Sequence, residues 1–307
     1  MKLGMLTACM PERSLEDIAT WAGANGYEAL ELAAWPSIGD RPFTASHVKA
    51  DAFDAGEAER VRSALESNGL VLSAFAYYDN NLHPDPAERD AFHTHLRACI
   101  DAAAELSGVP VGTFIGRDPS KSVADNLREA EQIFPPLVDY AGERGVKLMI
   151  ENCVMEGWHP DGYPGNLAYS PELWEWMFDL GLYLNFDPSH LLWLGIDPVA
   201  ALRPYVHRVI HAHAKDAETF PAERNRYGFF GRTSTREADP WDMGWWRHRI
   251  PGLGAVDFRH YVDVLYEGGF DGVLSVEHED PVWGGTPDKI EAGLRIAQQN
   301  LRPLVVR

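Results

Sequence analysis

The chain of 307 residues carries a net charge of −19, with 45% hydrophobic and 24% charged residues. This composition is typical of a folded globular protein and argues against the disordered and fibrous classes. So acidic a chain repels polyphosphates at long range, which counts against nucleic acids and anionic membranes as its main partners.

Three cysteines, Cys9, Cys99 and Cys153, form no CxxC pair. This usage is typical of a reducing compartment and argues against a disulfide scaffold. The N-terminal segment becomes charged too soon after its short apolar run to be a secretory signal. No stretch approaches the roughly 18 apolar residues of a membrane span. We therefore expect a soluble, cytoplasmic protein.

Short apolar runs alternate along the chain with longer amphipathic segments, and this pattern predicts strands and helices in turn. The predicted strands are Lys2–Thr7, Tyr27–Ala33, Val71–Tyr77, Val111–Ile115, Lys147–Asn152, Leu182–Phe186, Arg208–Ala214 and Gly272–Glu277. The predicted helices are Ser14–Ala24, Ala55–Ser67, Ala87–Leu106, Ser122–Glu143, Pro171–Leu180, Pro198–Tyr205, Asp257–Tyr266 and Pro287–Leu301.

Eight strands that each precede a helix favour an α/β fold whose parallel sheet closes into a (β/α)₈ TIM barrel, since closure leaves no sheet edge. A doubly wound open sheet is the alternative, but no GxGxxG motif follows the first predicted strand. No low-complexity linker divides the chain, so we expect residues 1–307 to form a single domain.

The connection after the seventh predicted strand is out of proportion to the others and spans residues 217–256. It contains the stretches RNRYGFFGR and WDMGWWRHRIPGLG, which are rich in arginine, glycine and tryptophan. Loops of this length in compact domains are usually functional, and the aromatic residues argue against disorder. We predict a long loop that acts as a lid or pocket wall, with a contact between subunits as the alternative.

Four polar residues stand at the C-terminal ends of the late strands, where the active sites of such barrels lie. They are Glu151, Asp187, His213 and Glu277, and we call them the quartet. Successive members are about one βα unit apart once the 217–256 segment is left out. The four side chains are therefore expected to project toward one point.

Three carboxylates and one imidazole form an oxygen-rich ligand set that suits Mn²⁺, Mg²⁺, Co²⁺ or Zn²⁺. Buried side by side, the carboxylates repel one another and their pKa values rise unless a cation neutralises them. Each acid of the quartet follows an apolar strand, where an unpartnered charge is costly. We therefore predict a divalent-metal site, with independent roles for the four residues as the alternative.

Four segments carry a resemblance to a known family: Lys147–Asn152, Asn185–His190, Val209–Asp216 and Val273–Asp280. With them the chain resembles, over nearly its whole length, the sugar phosphate isomerase/epimerase group of the xylose isomerase-like TIM barrels. That group includes ketose 3-epimerases, hydroxypyruvate isomerase and inosose dehydratase. The resemblance implies a divalent metal, commonly Mn²⁺, on the quartet, and it makes Glu151 and Glu277 the two groups that move a proton on opposite faces of a bound sugar.

Other residues at this rim are candidates for substrate binding. His190 lies three residues beyond Asp187, and the corresponding position in the family usually contacts the substrate or lies beside the metal. Lys215 and Asp216 complete the family pattern HxKD, which places the lysine near the sugar oxygens, with a simple ion pair as the alternative. Further candidates from the rim loops are Asn81, His83, Arg117, Trp158 and His159.

Two residues on the barrel side of the strands have different expected roles. His211 precedes His213 by two residues and shares its side of the strand, one layer deeper. We expect His211 to be a packed, hydrogen-bonded histidine. Glu31 ends the second strand and is a candidate for the floor of the pocket.

The resemblance implies a metal-dependent sugar isomerase or epimerase that removes a proton beside a carbonyl, through an enediolate that the metal stabilises. A lyase that eliminates a group β to the carbonyl of a keto-sugar or 3-keto-glycoside is the alternative, and a non-catalytic sugar-binding barrel is another. The charge of −19 argues against the apurinic-site endonuclease branch. The expected partners are a small carbohydrate and further copies of the chain, through residues 217–256.

Overall fold

The computed structural model of the chain describes residues 1–36, 45–229 and 243–306. In chain order its strands are β1 (Lys2–Leu6), β2 (Ala29–Ala33), β3 (Val71–Asn80), β4 (Val111–Phe114), β5 (Leu148–Glu151), β6 (Tyr183–Phe186), β7 (Val209–Ala214), β8 (Asp216–Thr219), β9 (Trp246–Arg249) and β10 (Val273–Val276). In the described residues, eight of these strands form a closed parallel barrel, whereas β8 and β9 form a separate sheet. The predicted TIM barrel and each of its strands are thereby confirmed.

The barrel closes because its last strand pairs with its first. Lys2 is in register with Val273 and Met5 with Val276, while β10 also pairs with β7. All of these pairs are parallel, so the C-terminal ends of the strands meet at one rim. Closure also leaves the barrel without an exposed strand edge.

Helices alternate with the barrel strands. They are α1 (Leu15–Ala24), α2 (Ala55–Glu66), α3 (Pro86–Glu105), α4 (Val123–Gly142), α5 (Pro171–Asp179), α6 (Ser189–Trp193), α7 (Pro198–Leu202), α8 (Pro221–Tyr227), α9 (Phe258–Glu267) and α10 (Pro287–Leu301). The short helices α6 and α8 were not predicted. The predicted helix over Pro198–Tyr205 divides into α7 and a 3₁₀ turn, Arg203–Arg208, because Pro204 lacks the N–H that a continuing α-helix needs.

Helix α9 illustrates how the sequence pattern packs the outer layer against the barrel. Its buried side chains include Phe258, Tyr261 and Leu265, which recur at the spacing of one helical face. Arg259 and Asp263 lie on the opposite face and are exposed. The hydroxyl of Tyr261 also donates a hydrogen bond to the backbone carbonyl of His213, over 3.1 Å. Through this bond the outer layer contacts a strand that carries a member of the quartet.

The described part of the 217–256 segment contains regular structure, which differs from the single long loop that was predicted. Strands β8 and β9 pair antiparallel, with Asp216 in register with Arg249 and Thr219 with Trp246, and α8 lies between them in sequence. The indole of Trp246 stacks on that of Trp193, with ring centroids 4.6 Å apart and an angle of 5° between the planes. Residues 230–242 lie outside the described residues, so the roles as lid or subunit contact stay predictions.

Asp216 anchors this segment through its carboxylate, and its contact with substrate stays a prediction. One carboxylate oxygen accepts the backbone N–H of Ala217 at 2.8 Å and of Val256 at 2.9 Å. The other accepts those of Gly252 at 3.0 Å and Gly254 at 2.8 Å. A carboxylate offers about four acceptor positions, and backbone groups of this chain use them.

Crossing a bilayer takes about 20 mostly apolar residues, and none of the helices in the described ranges meets that requirement.

We expect Asp216→Ala to lower the free energy of unfolding by about 3 kcal/mol or more, because it leaves several backbone N–H groups without an acceptor. Urea denaturation followed by circular dichroism measures the loss. Asp257→Ala is the matched control, since Asp257 is exposed and caps α9 by accepting the N–H of His260. Loss of such a cap costs about 1 kcal/mol. Equal losses in the two variants would contradict the anchoring role.

Candidate functional site

The structure brings the quartet together at the C-terminal rim of the barrel. Glu151 ends β5, Asp187 directly follows β6, His213 lies in β7 and Glu277 directly follows β10. One ligand atom from each side chain lies within 4.8 Å of the corresponding atoms of the other three. Asp187 and His213 are fully buried, and Glu151 is buried as well. The four residues therefore form one compact, largely desolvated cluster.

One polar atom of each quartet member forms no hydrogen bond, although each is buried. These atoms are Glu151 Oε1, Asp187 Oδ2, His213 Nδ1 and Glu277 Oε2. Buried polar atoms are nearly always hydrogen-bonded, whereas these four stand in ion pairs with one another or with Lys215 and His190. Four such atoms converging from four strands form the donor set that a divalent cation takes. The residues present therefore fit a metal ion.

Lys215 balances part of the negative charge of the quartet. Its ammonium lies 3.2 Å from Asp187 Oδ2, 2.9 Å from Glu277 Oε2 and 3.1 Å from Glu279 Oε2. Burial opposes the charged form, but these carboxylates raise the pKa of Lys215 well above its ordinary value. Lys215 therefore remains an ammonium group directly beside the cluster.

The carboxyls of Glu151 and Glu277 differ in their affinity for protons. Burial raises the pKa of Glu277 to about 6, although the ammonium of Lys215 opposes the shift. Burial also favours the neutral form of Glu151, but contacts with His190 and His213 hold its pKa well below the ordinary value. The same rim thus carries one carboxylate that stays ionised and one carboxyl that readily takes a proton.

Glu31 fixes the orientation of His213 from below. Glu31 Oε2 lies 2.9 Å from His213 Nε2 and accepts a hydrogen bond of 2.9 Å from the hydroxyl of Ser275. Glu31 Oε1 accepts a hydrogen bond of 2.8 Å from the hydroxyl of Tyr78. With Nε2–H directed at Glu31, Nδ1 faces the other members of the quartet. A carboxylate behind a metal-binding histidine commonly sets its tautomer in this way.

Electrostatics make Glu31 an anion and His213 a cation when no metal is bound. Burial works against the charge of Glu31, but the charge of His213 and the hydrogen bonds from His213 and Tyr78 lower its pKa to about 2. Burial likewise works against the charge of His213, and Glu31 and Glu277 nevertheless raise its pKa well above the ordinary value. A cation that binds to His213 must therefore displace a proton.

His211 has the structural role that its position predicts. Its ring nitrogens lie 3.0 Å from Asn185 Oδ1 and 3.2 Å from Ser73 Oγ. Burial lowers the pKa of His211 to about 4, so the ring is neutral. Asn185 in turn donates to the hydroxyl of Tyr78 over 2.7 Å. This hydrogen-bonded layer supports Glu31 and the quartet from inside the barrel.

A cavity of about 500 Å³ opens beside the quartet, which is within the range of small-molecule sites. Glu151 and Glu277 lie in its wall together with two predicted substrate contacts, His190 and Lys215. Its apolar wall includes the side chains of Trp35, Tyr78, Phe114, Met155 and Met243.

Three predicted substrate contacts from the early rim loops lie outside the described cavity lining and have other partners. The amide of Asn81 donates to Thr113 Oγ1 over 3.0 Å and to the carbonyl of Phe114 over 2.6 Å. Arg117 donates to the carbonyl of Pro164 over 3.0 Å. His83 accepts the N–H of Asp85 over 3.2 Å. These contacts stabilise the loops themselves, and substrate binding by the three residues stays a prediction.

Trp158 and His159 likewise fall outside the described lining of the cavity. Trp158 packs edge-on against Phe114, with ring centroids 5.5 Å apart, and so supports a wall residue from behind. His159 contacts the ring of Tyr163 and accepts the N–H of Asp161 over 3.1 Å. Their contact with substrate likewise stays a prediction.

Glu279 and His248 are among the ionisable residues of the cavity wall that were missed from the sequence. Glu279 follows Glu277 by two residues and lies 3.7 Å from His248 Nε2 on β9. Burial favours the neutral form of Glu279, but the charge and the hydrogen bond of Lys215 lower its pKa to about 2. The acidic run after Glu277 is a sequence signal for Glu279. No sequence signal identifies His248, because this residue reaches the cavity only through the pairing of β8 with β9.

Comparison with known proteins gives a consistent family and fold. The model of the family "Xylose isomerase-like TIM barrel" matches residues 19–302. An uncharacterized protein of Bacillus subtilis, YfiH, is 27% identical over 99% of both chains. Inosose dehydratase of Clostridium botulinum is 34% identical over 103 residues, which cover 33% of this chain and 32% of that enzyme. The similarity to the dehydratase thus spans about a third of its length.

Two solved structures show the same architecture. D-psicose 3-epimerase, solved in the presence of D-fructose, superposes with a TM-score of 0.69 at 15% identity, over 99% of both chains. The probable 3-DHS dehydratase AsbF of Bacillus anthracis superposes with a TM-score of 0.70 at 16% identity, over 98% of this chain and 99% of the other. At such identities the likeness shows the fold.

We expect Glu31→Gln to weaken Mn²⁺ binding by about 10–100-fold, because the amide no longer fixes the tautomer and orientation of His213. Calorimetric titration of the metal-free protein with Mn²⁺ measures the change. Glu28→Gln is the matched control, since Glu28 precedes the same strand but forms an ion pair with Arg302. Unchanged Mn²⁺ affinity in Glu31→Gln would contradict the supporting role of Glu31.

Proposed function

Since the chain belongs to the xylose isomerase-like TIM barrel family, we propose that it is a divalent-metal-dependent isomerase or epimerase of a small carbohydrate. The observation that carries the proposal is the convergence of four buried polar atoms without hydrogen bonds, one from each quartet member. They stand beside a cavity of about 500 Å³, a volume that suits a small sugar.

The quartet would hold the cation, and its donor set favours Mn²⁺, with Mg²⁺, Co²⁺ and Zn²⁺ as the other candidates. When bound, the cation supplies a Lewis acid that stabilises negative charge on an oxygen of the substrate. Three carboxylates beside one another need such a charge, because Lys215 and His213 offset only part of their repulsion.

Glu151 and Glu277 are the proposed proton-transfer groups. One of them removes the proton beside the carbonyl of the sugar, and the other returns a proton from the opposite face or to the neighbouring carbon. Both carboxyls line the cavity, as this role requires. A general base within hydrogen-bond reach contributes typically 10²–10⁴-fold to the rate.

The other walls of the cavity suit a polyhydroxylated substrate. His190 and Lys215 present nitrogen atoms to the cavity next to the quartet and are proposed to bind sugar oxygens. Trp35, Tyr78 and Phe114 offer apolar surface to the C–H face of a sugar ring. This surface also excludes water, which strengthens the electrostatic interactions of the buried charges.

A lyase that dehydrates a keto-sugar or keto-glycoside is the second candidate. It needs the same proton removal and, in addition, a group that assists departure of the β-hydroxyl. His248 and Glu279 line the same cavity and are the proposed contacts of that hydroxyl. The similarity to inosose dehydratase favours this candidate. Assembly of copies through residues 217–256 and a cytoplasmic location also remain proposals.

Exchange in D₂O separates the two reactions. The Mn²⁺-loaded protein is incubated with D-fructose, D-psicose, an inosose and a 3-keto-glucoside, and the products are followed by NMR. For an isomerase or epimerase we expect deuterium on the carbon beside the carbonyl, with the carbon skeleton and hydroxyls intact. An unsaturated product would instead support the lyase. No exchange with any substrate, together with no Mn²⁺ binding, would support a non-catalytic sugar-binding barrel.

We expect Glu151→Gln to lower kcat by about 10²–10⁴-fold on the substrate found in this screen, because the amide cannot accept the proton. The melting temperature should change little, since the two side chains have nearly the same shape. Glu156→Gln is the matched control, because Glu156 also lines the cavity but is not a member of the quartet. Full activity of Glu151→Gln would remove Glu151 from the proposed mechanism.

A further inference from the structure

A buried thiol lies against the quartet, and the proposed reaction makes no use of it. Cys153 follows Glu151 by two residues, is 8% exposed and lines the same cavity. Its Sγ, a carboxylate oxygen of Glu151 and a ring nitrogen of His190 lie within 4.8 Å of one another. Glu151 and His190 are each only 2% exposed. A sulfur, an oxygen and a nitrogen atom that can each bind a metal thus lie close together in a buried part of the cavity wall.

His190 supplies an independent sign of a ligand at this place. Neither of its ring nitrogens forms a hydrogen bond, although the residue is buried. Nε2 lies 3.6 Å from Glu151 Oε1 and 3.4 Å from Asp187 Oδ2, so the ring is directed at the rim carboxylates. A buried imidazole without hydrogen bonds is costly, and a cation bound to one nitrogen would remove part of that cost.

We propose that Glu151, Cys153 and His190 form a second divalent-metal site, which prefers a thiophilic cation such as Zn²⁺. Sulfur, nitrogen and oxygen donors with a fourth position left to water or substrate are a common arrangement around zinc. The quartet contains no sulfur and is richer in oxygen, which suits a harder cation. The two sites therefore differ in the metal that each one favours.

Glu151 belongs to both ligand sets. Its carboxylate has two oxygens, so a single side chain can serve two neighbouring cations. On binding Zn²⁺ the S–H bond of Cys153 breaks, a sulfur–zinc bond forms and the proton passes to solvent. No oxidant or reductant takes part in this step.

Occupation of the second site has a consequence for substrate binding. His190 is also a proposed contact for a sugar oxygen, and a nitrogen atom that is bound to zinc cannot bind a hydroxyl at the same time. Zinc and sugar therefore compete for His190. Because this consequence rests on the proposed function, the site itself is tested by metal binding alone.

Titration of the metal-free full-length protein with Co²⁺ tests the proposal. Cobalt replaces zinc in such sites, and a bound thiolate adds a near-ultraviolet charge-transfer band. We expect two equivalents of Co²⁺, with a thiolate band that is lost when excess Zn²⁺ is added. Cys153→Ser and Cys153→Ala should bind one equivalent and show no thiolate band.

Cys9→Ser is the matched control, because Cys9 also lines the cavity but donates to the carbonyl of Leu6. This variant should keep two equivalents and the thiolate band. One equivalent without the band in the wild type would overturn the second site and leave the quartet intact. One equivalent with the band would keep the Cys153 site and contradict a cation on the quartet. A band that survives in both Cys153 variants would also overturn the proposal.

Discussion

Repulsion among buried carboxylates is the constraint on which the rest of this structure depends. Glu151, Asp187 and Glu277 place ligand atoms within 4.8 Å of one another, in a region where water screens them little. Lys215 and the charged ring of His213 offset part of this repulsion. The side chains of Lys215 and His213 each contact more than one of these carboxylates. The charges of the cluster therefore depend on one another. A divalent cation bound to the quartet would complete that balance.

Two parts of the fold position this cluster: the barrel with the layer inside it, and the segment after β7. Closure of the barrel brings the ends of β5, β6, β7 and β10 to one rim, and the hydrogen-bonded layer beneath it, with Glu31 and Asn185, holds the imidazole of His213 in place. The segment after β7 adds a wall from outside the barrel, fixed by Asp216 and by the stacked ring of Trp246. The cluster is therefore supported from inside the barrel and bordered by a wall that the segment after β7 supplies.

The barrel and the quartet could be predicted because local sequence carries the signal. In a closed parallel barrel, an acid or a histidine at the C-terminal end of an apolar strand lies at the common rim. Contacts between distant elements could not be predicted in this way. Glu31 meets His213 across 182 residues of sequence, and Asp216 matches the family pattern but binds backbone N–H groups. The same holds for the rim loops, where Arg117 donates to the backbone carbonyl of Pro164.

Anomalous diffraction from crystals of the full-length protein grown with Mn²⁺ tests the central claim most directly, because it locates the ion without reference to activity. The account predicts a manganese peak between Glu151, Asp187, His213 and Glu277, in coordination contact with one atom of each. Crystals with full Mn²⁺ access that show no peak there, with the four side chains bonded only to other protein groups, would contradict it.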